Sequence, residues 1–489
     1  MDGPAHTDPS SPPGPGTLRP PADLAGTLGE LRASGWKSVP VAEEMRRNTM
    51  ARIAAGTSLV PGVLGFDDTV IPQLENAILA GHDVILLGER GQAKTRVIRA
   101  LVGLLDEWLP IVAGSEINDD PYSPVSRGAI NAVDEQGDDT PITWVHRSQR
   151  YGEKLATPDT SIADLIGEVD PIKIAEGRYL SDELALHYGL IPRVNRGIFA
   201  INELPDLSER IQVGLLNVLE ERDVQIRGHR IRLPLDITLV ATANPEDYTN
   251  RGRIITPLKD RFGAQIRTHY PYDTMTEVKI MESEAELPTA GIPVTVPTYL
   301  KEVVAEVSQL ARRSSHLNQR SGVSVRLSIA NYETLVANSL RRALRTGEPV
   351  AVPRISDLSS LVPSTQGKVE VEAMEEGHEQ EVVAQLVAAA TLSVFRRRVT
   401  LNDPSTIVAA FTEQVVVHAG DDLPSAAYLA VLADIPELEP PTRALAGPDA
   451  AESPALMASA LEFLLEGLHL TKRLNKDASG ARALYRGRK

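Results

Sequence analysis

A short glycine-rich segment follows an apolar run and precedes a helical pattern. Its eight residues are Gly88, Glu89, Arg90, Gly91, Gln92, Ala93, Lys94 and Thr95. They follow the pattern G-x-x-x-x-G-K-[ST] at every position but one, and the backbone N–H groups of such a loop, with the start of the next helix, can face phosphate oxygens. The lysine can reach the β- and γ-phosphates, and the threonine hydroxyl can ligate Mg²⁺. The segment therefore predicts a nucleotide site with ATP and Mg²⁺ as cofactors.

The exception to the pattern is Ala93, which stands where the last glycine is expected. Alanine adopts right-handed backbone conformations at little cost, whereas a positive φ favours glycine. We therefore expect the loop to retain its phosphate-binding conformation if position 93 does not need a positive φ.

A second apolar run, residues 197–201, ends in Asn202 and Glu203. Parallel strands deliver the side chains at their carboxyl ends to the edge of the sheet where nucleotides bind. The run resembles a Walker B motif, in which an aspartate supports Mg²⁺ through its water shell and a glutamate polarises the attacking water. The resemblance implies that Glu203 is the general base. It also implies that Asn202 supports Mg²⁺ mainly through water, with a weaker affinity because the charge is missing.

Three further positions complete the candidate site. Asn244 ends another apolar run, at a position that resembles sensor 1, where it can hold the attacking water or the γ-phosphate. Arg261 lies where an arginine could reach the ATP of a neighbouring subunit and stabilise transition-state charge, and Arg251 and Arg253 compete for that role. Arg326 opens a helix later in the chain, from which it can close onto ATP.

The hydrophobic pattern predicts the elements that bring these residues together. Short continuous apolar runs with polar flanks are typical of strands buried on both faces of a parallel sheet. Four such runs cover residues 84–87, 142–145, 197–201 and 237–241, and the sheet is expected to end near residues 264–266. A helical spacing follows the first run, at Val97, Ile98, Leu101, Val102, Leu105 and Leu109. This alternation predicts an α/β fold with a central parallel sheet.

Strand signals end near residue 271, and the later apolar residues have helical spacing. The predicted organisation is a disordered leader (1–22), an α/β nucleotide-binding core with N-terminal helices (23–272), an all-helical lid domain (273–400) and a small helical C-terminal extension with a linker and a basic tail (401–489). The length of the chain also favours two or three domains.

Composition excludes several classes of function. The chain of 489 residues carries a net charge of −16 and has 42% hydrophobic residues, which is typical of a cytoplasmic protein and makes nucleic-acid binding unlikely as its main role. The absence of cysteine excludes disulfides, zinc–thiolate sites and thiol nucleophiles. No apolar run reaches the roughly 18 residues of a membrane span, and no signal-peptide pattern is present. We therefore expect neither a secreted nor a membrane protein.

In this order along the chain, the motifs of the candidate site resemble the AAA+ module, a P-loop α/β core followed by a helical lid. Residues 223–233 alternate around a Gly-His tip, as in a β-hairpin, and residues 156–171 and 189–197 are similar to the helix-two insertion of MoxR ATPases and magnesium chelatase I subunits. The resemblance implies a homo-oligomeric ring, usually a hexamer, that hydrolyses ATP between subunits and remodels or activates a partner protein. A protein with a von Willebrand factor A domain is the partner that the resemblance implies for such a chaperone.

Other classes of function are alternatives. A related ring in chelatases helps to insert Mg²⁺ or Co²⁺ into a tetrapyrrole, so the chain could be the motor subunit of a chelatase. A nucleic-acid-translocating ATPase is a second alternative, because the predicted hairpin is basic, although the acidic chain argues against it. The basic residues are Arg227, His229, Arg230 and Arg232. Enhancer-dependent transcription activators carry a GAFTGA loop and a helix-turn-helix tail, and we find neither. Ala93 and Asn202 also suggest a nucleotide binder that does not hydrolyse ATP.

Overall fold

The computed structural model of the protein describes residues 19–169, 186–221, 223–225, 232–244, 253–288, 291–315, 317, 322–370, 378–400, 404–412, 415–448, 453–479 and 482–488. Most of the predicted leader lies outside these ranges. The chain divides into two compact units, Met1–His269 and Tyr270–Lys489. Among the described residues, no helix is both long and apolar enough to cross a membrane.

The first unit alternates strands and helices. Its strands are β1 (Val84–Leu87), β2 (Trp108–Val112), β3 (Ile142–His146), β4 (Tyr151–Leu155), β5 (Gly167–Val169), β6 (Leu186–Tyr188), β7 (Gly197–Asn202), β8 (Asp223–Gln225), β9 (Arg232–Pro234), β10 (Ile237–Ala243) and β11 (Ala264–Arg267). Its α-helices are Leu28–Ala33, Val41–Ala54, Val70–Ala80, Lys94–Ala100, Arg127–Gln136, Ile162–Leu165, Leu190–Arg193, Glu209–Glu221 and Thr256–Arg261.

Five strands form the central sheet, in the order β11-β1-β10-β7-β4, and all neighbouring pairs are parallel. Every residue of β7 is buried. Successive residues of β7 enter two separate apolar clusters, one with helix Glu209–Glu221 and the other with helix Lys94–Ala100. Burial on both faces is what the continuous apolar runs predict, so the predicted α/β fold with a central parallel sheet is confirmed.

The register places the carboxyl ends of three neighbouring strands side by side. Leu87 of β1 is level with Ala243 of β10, and Ala241 of β10 is level with Ile201 of β7. Adjacent strands lie about 4.8 Å apart. The residues that follow these three strands are therefore neighbours at one edge of the sheet.

Two details of the predicted sheet are wrong. Residues 142–145 belong to β3, which pairs antiparallel with β2 outside the central sheet, and the edge strand of that sheet is β4 instead. Thr143 is exposed and the two residues after it are half-buried, so β3 is a surface strand. The helix expected to reach Leu109 ends at Ala100 and continues as a 3-10 turn to Leu104. Leu109 lies in β2, because Pro110 directly after it disfavours a helical backbone.

Two short antiparallel ribbons lie beside the central sheet. Strands β8 and β9 pair directly before β10, as the predicted hairpin requires, and its tip, residues 226–231, lies outside the described residues. Strands β5 and β6 pair within the predicted insertion, and residues 170–185 between them are also outside the description.

The second unit begins with the predicted helical domain. Its α-helices are Thr274–Glu284, Thr298–Ala311, Arg326–Thr346, Val362–Gln366, His378–Arg398, Pro404–Ala410, Ser425–Asp434, Glu439–Ala446 and Pro454–Leu470. One apolar cluster joins most of these helices, and helix Pro454–Leu470 contributes several of its fully buried side chains. The helical region after the α/β core is thus confirmed.

The C-terminal part of this unit is not helical throughout. Strands β12 (Val416–Gly420), β13 (Leu474–Ser479) and β14 (Arg482–Gly487) form an antiparallel sheet in the order β12-β14-β13. Strands β13 and β14 lie within residues 472–489, the segment expected to be a basic tail. They fold because Leu474 and Tyr485 are buried and because Lys476 pairs with Glu466 at 2.7 Å. Helix Glu439–Ala446 lies within residues 434–454, the segment expected to be a linker.

Candidate nucleotide-binding site

The glycine-rich loop follows β1 and is held by neighbouring polar groups. Gly88 donates its N–H to the carbonyl of Ala243 at 3.1 Å. A Cβ at Gly88 would lie 1.9 Å from Thr268 Oγ1 and 2.2 Å from Gln92 Oε1, so only glycine fits there. Gln92 Oε1 accepts hydrogen bonds from the Glu89 N–H at 3.1 Å and from the Thr268 hydroxyl at 2.7 Å. These side chains and the Ala243 carbonyl therefore define the shape of the loop.

Position 93 does take a positive φ. Ala93 has φ 54 and ψ 14, and Gly91 has φ 74. A left-handed backbone costs an L-residue about 1–2 kcal/mol, so the alanine puts strain into the loop. The Lys94 ammonium donates to the carbonyls of Gly88 and Glu89, the latter at 2.7 Å, and its charge lies inside the loop.

The two candidate residues at the end of β7 are bound to the neighbouring strand β10. Glu203 has φ 57 and ψ 50, another left-handed conformation, and donates its N–H to Thr242 Oγ1 at 2.9 Å. The Thr242 hydroxyl donates to Asn202 Oδ1 at 3.4 Å. Thr242 and Asn202 are both buried, whereas Glu203 is half-buried. The backbone of the predicted general base is therefore held by a side chain that the sequence did not single out.

A carboxylate that the sequence analysis missed lies beside Asn202. Glu153 on β4 accepts a hydrogen bond from Asn202 Nδ2 at 2.5 Å and from the Tyr151 hydroxyl at 2.9 Å. Arg99, on the helix that follows the loop, donates to both Glu153 oxygens, at 2.9 and 3.1 Å. Burial raises the pKa of Glu153, but the hydrogen bonds from Arg99, Tyr151 and Asn202 outweigh it and hold the pKa below its ordinary value. Glu153 is therefore an ionised acceptor.

Asn244 lies at the end of β10, between the loop and Glu203. Its side chain is buried, and its Oδ1 has no hydrogen-bond partner among the residues that the structure describes. A buried polar atom without a partner costs about 1–3 kcal/mol, and such atoms are rare in folded proteins. The position is suited to a water or a phosphate group that supplies the missing hydrogen bond.

The candidate arginines lie at exposed positions, so far as the structure describes them. Arg253 and Arg261 are exposed in the first unit, and Arg251 lies outside the described residues. Arg326 is exposed at the start of helix Arg326–Thr346, in the second unit. Their roles stay predictions.

A cleft of about 550 Å³ opens beside the loop. Its lining residues are Leu87, Gly88, Glu89, Gln92, Lys259, Gln265, Arg267 and Thr268. In the described part of the chain, no group of three acidic, histidine or cysteine residues could hold a metal ion. Mg²⁺ in nucleotide sites needs only one or two protein oxygens besides the phosphates and water. The Thr95 hydroxyl and the Asn202 amide oxygen have the chemistry that this ion prefers, so the residues present fit Mg²⁺.

Known proteins with similar sequences include subunits of magnesium chelatase. The chain is 28% identical to magnesium-chelatase subunit ChlI of Anabaena variabilis over 47% of this chain and 64% of that protein. It is 30% identical to the magnesium-chelatase 38 kDa subunit of Cereibacter sphaeroides over 40% of this chain and 54% of that protein. The chain thus spans less than two thirds of the length of these relatives.

Two further similarities concern parts of the chain. The family model of the Sigma-54 interaction domain matches residues 176–261, which include β7, the hairpin strands and β10. A solved structure of the complex between subunits BchI and BchD of magnesium chelatase aligns with 66% of this chain and 98% of its own, at 20% identity and a TM-score of 0.35. The sequence similarities agree with the predicted resemblance.

Proposed function

We propose that this chain, an AAA+ protein of the MoxR and magnesium-chelatase I-subunit type, binds Mg-ATP at the glycine-rich loop and hydrolyses it between the subunits of a ring. In this proposal hydrolysis remodels or activates a partner protein. The curated relatives support an ATPase motor of this type. The ring, the roles of the site residues and the partner are parts of the same proposal.

The observation that carries the proposal is the unpartnered oxygen of Asn244. This atom is buried at the strand end that lies between the loop and Glu203. A water held there would lie between the γ-phosphate site and the predicted base, where an attacking water must be. We infer that Asn244 holds that water and that Glu203 accepts a proton from it.

The other site residues have roles that follow from their chemistry. Lys94 exchanges its bonds to the loop carbonyls for bonds to the β- and γ-phosphates, since an ammonium binds phosphate oxygens more strongly than carbonyls. Thr95 would hold Mg²⁺ directly, and Asn202 would hold it through water. When bound, Mg²⁺ neutralises charge on the phosphates. The backbone N–H groups of residues 88–93 complete the phosphate site.

Arginines from other parts of the chain would complete the site in a ring. Arg261 and Arg253 are exposed and follow the sensor strand, so either can reach the ATP of a neighbouring subunit. An arginine finger in trans stabilises transition-state charge and raises kcat by about 10³–10⁵. Arg326 is proposed to contact the nucleotide as well.

Steady-state ATP hydrolysis by wild type and Glu203→Gln tests the proposed activity. Loss of the base should lower kcat by at least about 10²-fold while Mg-ATP still binds. Glu209→Gln is the matched control, because Glu209 is exposed at the start of the next helix and lies outside the site. If wild type and Glu203→Gln release phosphate equally slowly, the chain is a nucleotide binder without a motor function.

The partner is proposed from family resemblance. A remodelling chaperone of the MoxR type would act on a protein with a von Willebrand factor A domain. A second candidate function, the motor subunit of a magnesium or cobalt chelatase, is favoured by the 28–30% identity to magnesium-chelatase subunits. The Glu203→Gln variant should keep ATP and therefore hold its partner, so capture from the source organism separates the two. A von Willebrand A protein would support the first function and a large chelatase subunit the second, whereas recovery of nucleic acid would contradict both.

A further inference from the structure

A continuous row of polar contacts crosses three strands behind the nucleotide site. We call the row the polar ladder, and it consists of Arg99, Glu153, Asn202, Thr242 and the backbone N–H of Glu203. Its contacts run from the helix after the loop to β4, then to β7 and β10, and back to the residue after β7. The ladder therefore connects the loop helix with the backbone of the predicted general base.

The direction of every hydrogen bond in the ladder is fixed by its two ends. The Glu203 N–H can only donate, so Thr242 accepts there and gives its own hydrogen to Asn202 Oδ1. Both Glu153 oxygens accept from Arg99 and one also accepts from the Tyr151 hydroxyl, so Asn202 must turn its NH₂ group towards this carboxylate. Asn202 is thus an acceptor on one side and a donor on the other, and its amide meets both demands, whereas an ionised carboxylate does not.

An aspartate at position 202 would break this pattern. Its two oxygens can accept but cannot donate, so one of them would face the Glu153 oxygen at the 2.5 Å distance that the amide now bridges. Two carboxylates at such a distance repel each other strongly when both are ionised. Arg99 supplies one positive charge, which already balances Glu153. The asparagine therefore matches Glu153, and the negative charge expected at position 202 is present on the next strand.

We propose that the acid of the Walker B position has been exchanged between strands, so that Glu153 carries the charge and the Asn202–Glu153 pair positions Glu203 for hydrolysis. The proposal rests on the proposed ATPase function. Glu203 has a left-handed backbone at φ 57, which needs support from its surroundings, and its N–H bond to Thr242 supplies that support. Glu153 is in this view a positioning residue, since it acts on Glu203 through Asn202 and Thr242.

Exchange of the two side chains tests the proposal. Asn202→Asp alone should lower kcat about tenfold or more, because it loses a hydrogen bond to a charged group, while the Kd of a fluorescent ATP analogue measured without Mg²⁺ stays within about threefold. Adding Glu153→Gln should restore kcat to within about threefold of wild type, since the glutamine amide can donate to the new aspartate. A residue that only supports the fold would not give this rescue or this separation of kcat from Kd.

A variant of Thr242 keeps the test independent of charge. Thr242→Val removes the hydroxyl, keeps the shape and should lower kcat about tenfold, because the Glu203 N–H loses its acceptor. Thr238→Val, on the same strand and four residues earlier, is the matched control outside the ladder and should leave kcat unchanged. Equal kcat for Thr242→Val and wild type would overturn the proposal.

The results that contradict the proposed exchange of the acid differ from those that contradict the ATPase function. If Asn202→Asp alone raises kcat above that of wild type, position 202 simply lacks its acid and the proposal is wrong. If wild type hydrolyses no ATP, the proposed function fails. The melting temperatures of the ligand-free variants then test whether Asn202 and Glu153 are a matched pair. A Tm that falls in Asn202→Asp and recovers in the double variant then supports the matched pair, and a Tm at or above that of wild type contradicts it.

Discussion

Ala93→Gly should stabilise the nucleotide-binding unit, because it removes a strained backbone conformation from the phosphate loop. Ala93 has φ 54 and ψ 14. The left-handed region costs an L-residue about 1–2 kcal/mol, a cost that glycine does not have. Glycine also gives the unfolded chain more freedom, which offsets about 0.4–1 kcal/mol of the gain. The midpoints of these two ranges differ by about 0.8 kcal/mol, so the net free energy of unfolding should rise by about 0.5–1 kcal/mol.

Scanning calorimetry of the full chain without nucleotide measures this gain. For a unit of this size, about 0.5–1 kcal/mol corresponds to a rise in Tm of about 1–4 °C. Ala100→Gly is the matched control, because Ala100 lies at the end of the helix that starts at Lys94 and has ordinary helical angles, φ −65 and ψ −24. There glycine should lower stability by about 0.5–1 kcal/mol.

The opposite signs of the two alanine substitutions are the critical result. A fall in Tm for Ala93→Gly that equals the fall for Ala100→Gly would mean that position 93 is not left-handed in solution. A positive φ would then no longer explain why the general pattern has glycine there.

Three other substitutions have definite expected outcomes. Gly88→Ala should abolish binding of a fluorescent ATP analogue, because its Cβ would lie 1.9 Å from Thr268 Oγ1, and Thr268→Ala in the same chain should restore part of the binding. Arg150→Leu should lower the unfolding free energy measured in urea by about 3–5 kcal/mol, since it removes the ion-pair partner of the buried Glu44, 2.6 Å away. A second change, Glu44→Leu, should recover much of this loss. Burial raises the pKa of Glu348, but hydrogen bonds and neighbouring arginines outweigh it and hold the pKa below the ordinary 4.5. Its stabilising contribution should therefore be present above pH 4.5 and lost as pH falls through the lower folded pKa, and the slope of Tm against pH in that range should be smaller in Glu348→Gln.

The buried parts of the first unit could be predicted from sequence because their signal is local. Strands β1, β7 and β10 are continuous apolar runs, and burial on both faces of a parallel sheet produces that pattern directly. The edge strand β4 reads Tyr-Gly-Glu-Lys-Leu and gives no such signal, since its three central residues are not large apolar residues. Residues 105–109 fit a helical spacing, which predicts a helix there. Pro110 directly after them indicates instead that a helix ends before this point.

The candidate site could be predicted only where its residues follow a known pattern in order. Glu153 lies 49 positions before Asn202 in the chain, and nothing in the local sequence indicates that the two side chains touch. Thr242 gives no sign of its role in the sequence, because a threonine in an apolar strand is common. One signal is present, since an asparagine in place of the acid of the Walker B pattern indicates that a neighbouring strand can supply the carboxylate. The C-terminal sheet has no strand signal, because neither β13 (Leu-Asn-Lys-Asp-Ala-Ser) nor β14 (Arg-Ala-Leu-Tyr-Arg-Gly) alternates apolar and polar residues.

Ala93 and Asn202 depart from the general nucleotide-site pattern in physically different ways. The cost at Ala93 lies in its own backbone, at φ 54, so a single change to glycine removes it. The amide of Asn202 is instead bound to a carboxylate on the next strand, so a single change to aspartate adds repulsion. Glycine at position 93 should therefore raise the stability of the ligand-free chain, and aspartate at position 202 should lower it. Both substitutions move the chain towards the same pattern, so a shared direction of change would show that one of these two explanations is wrong.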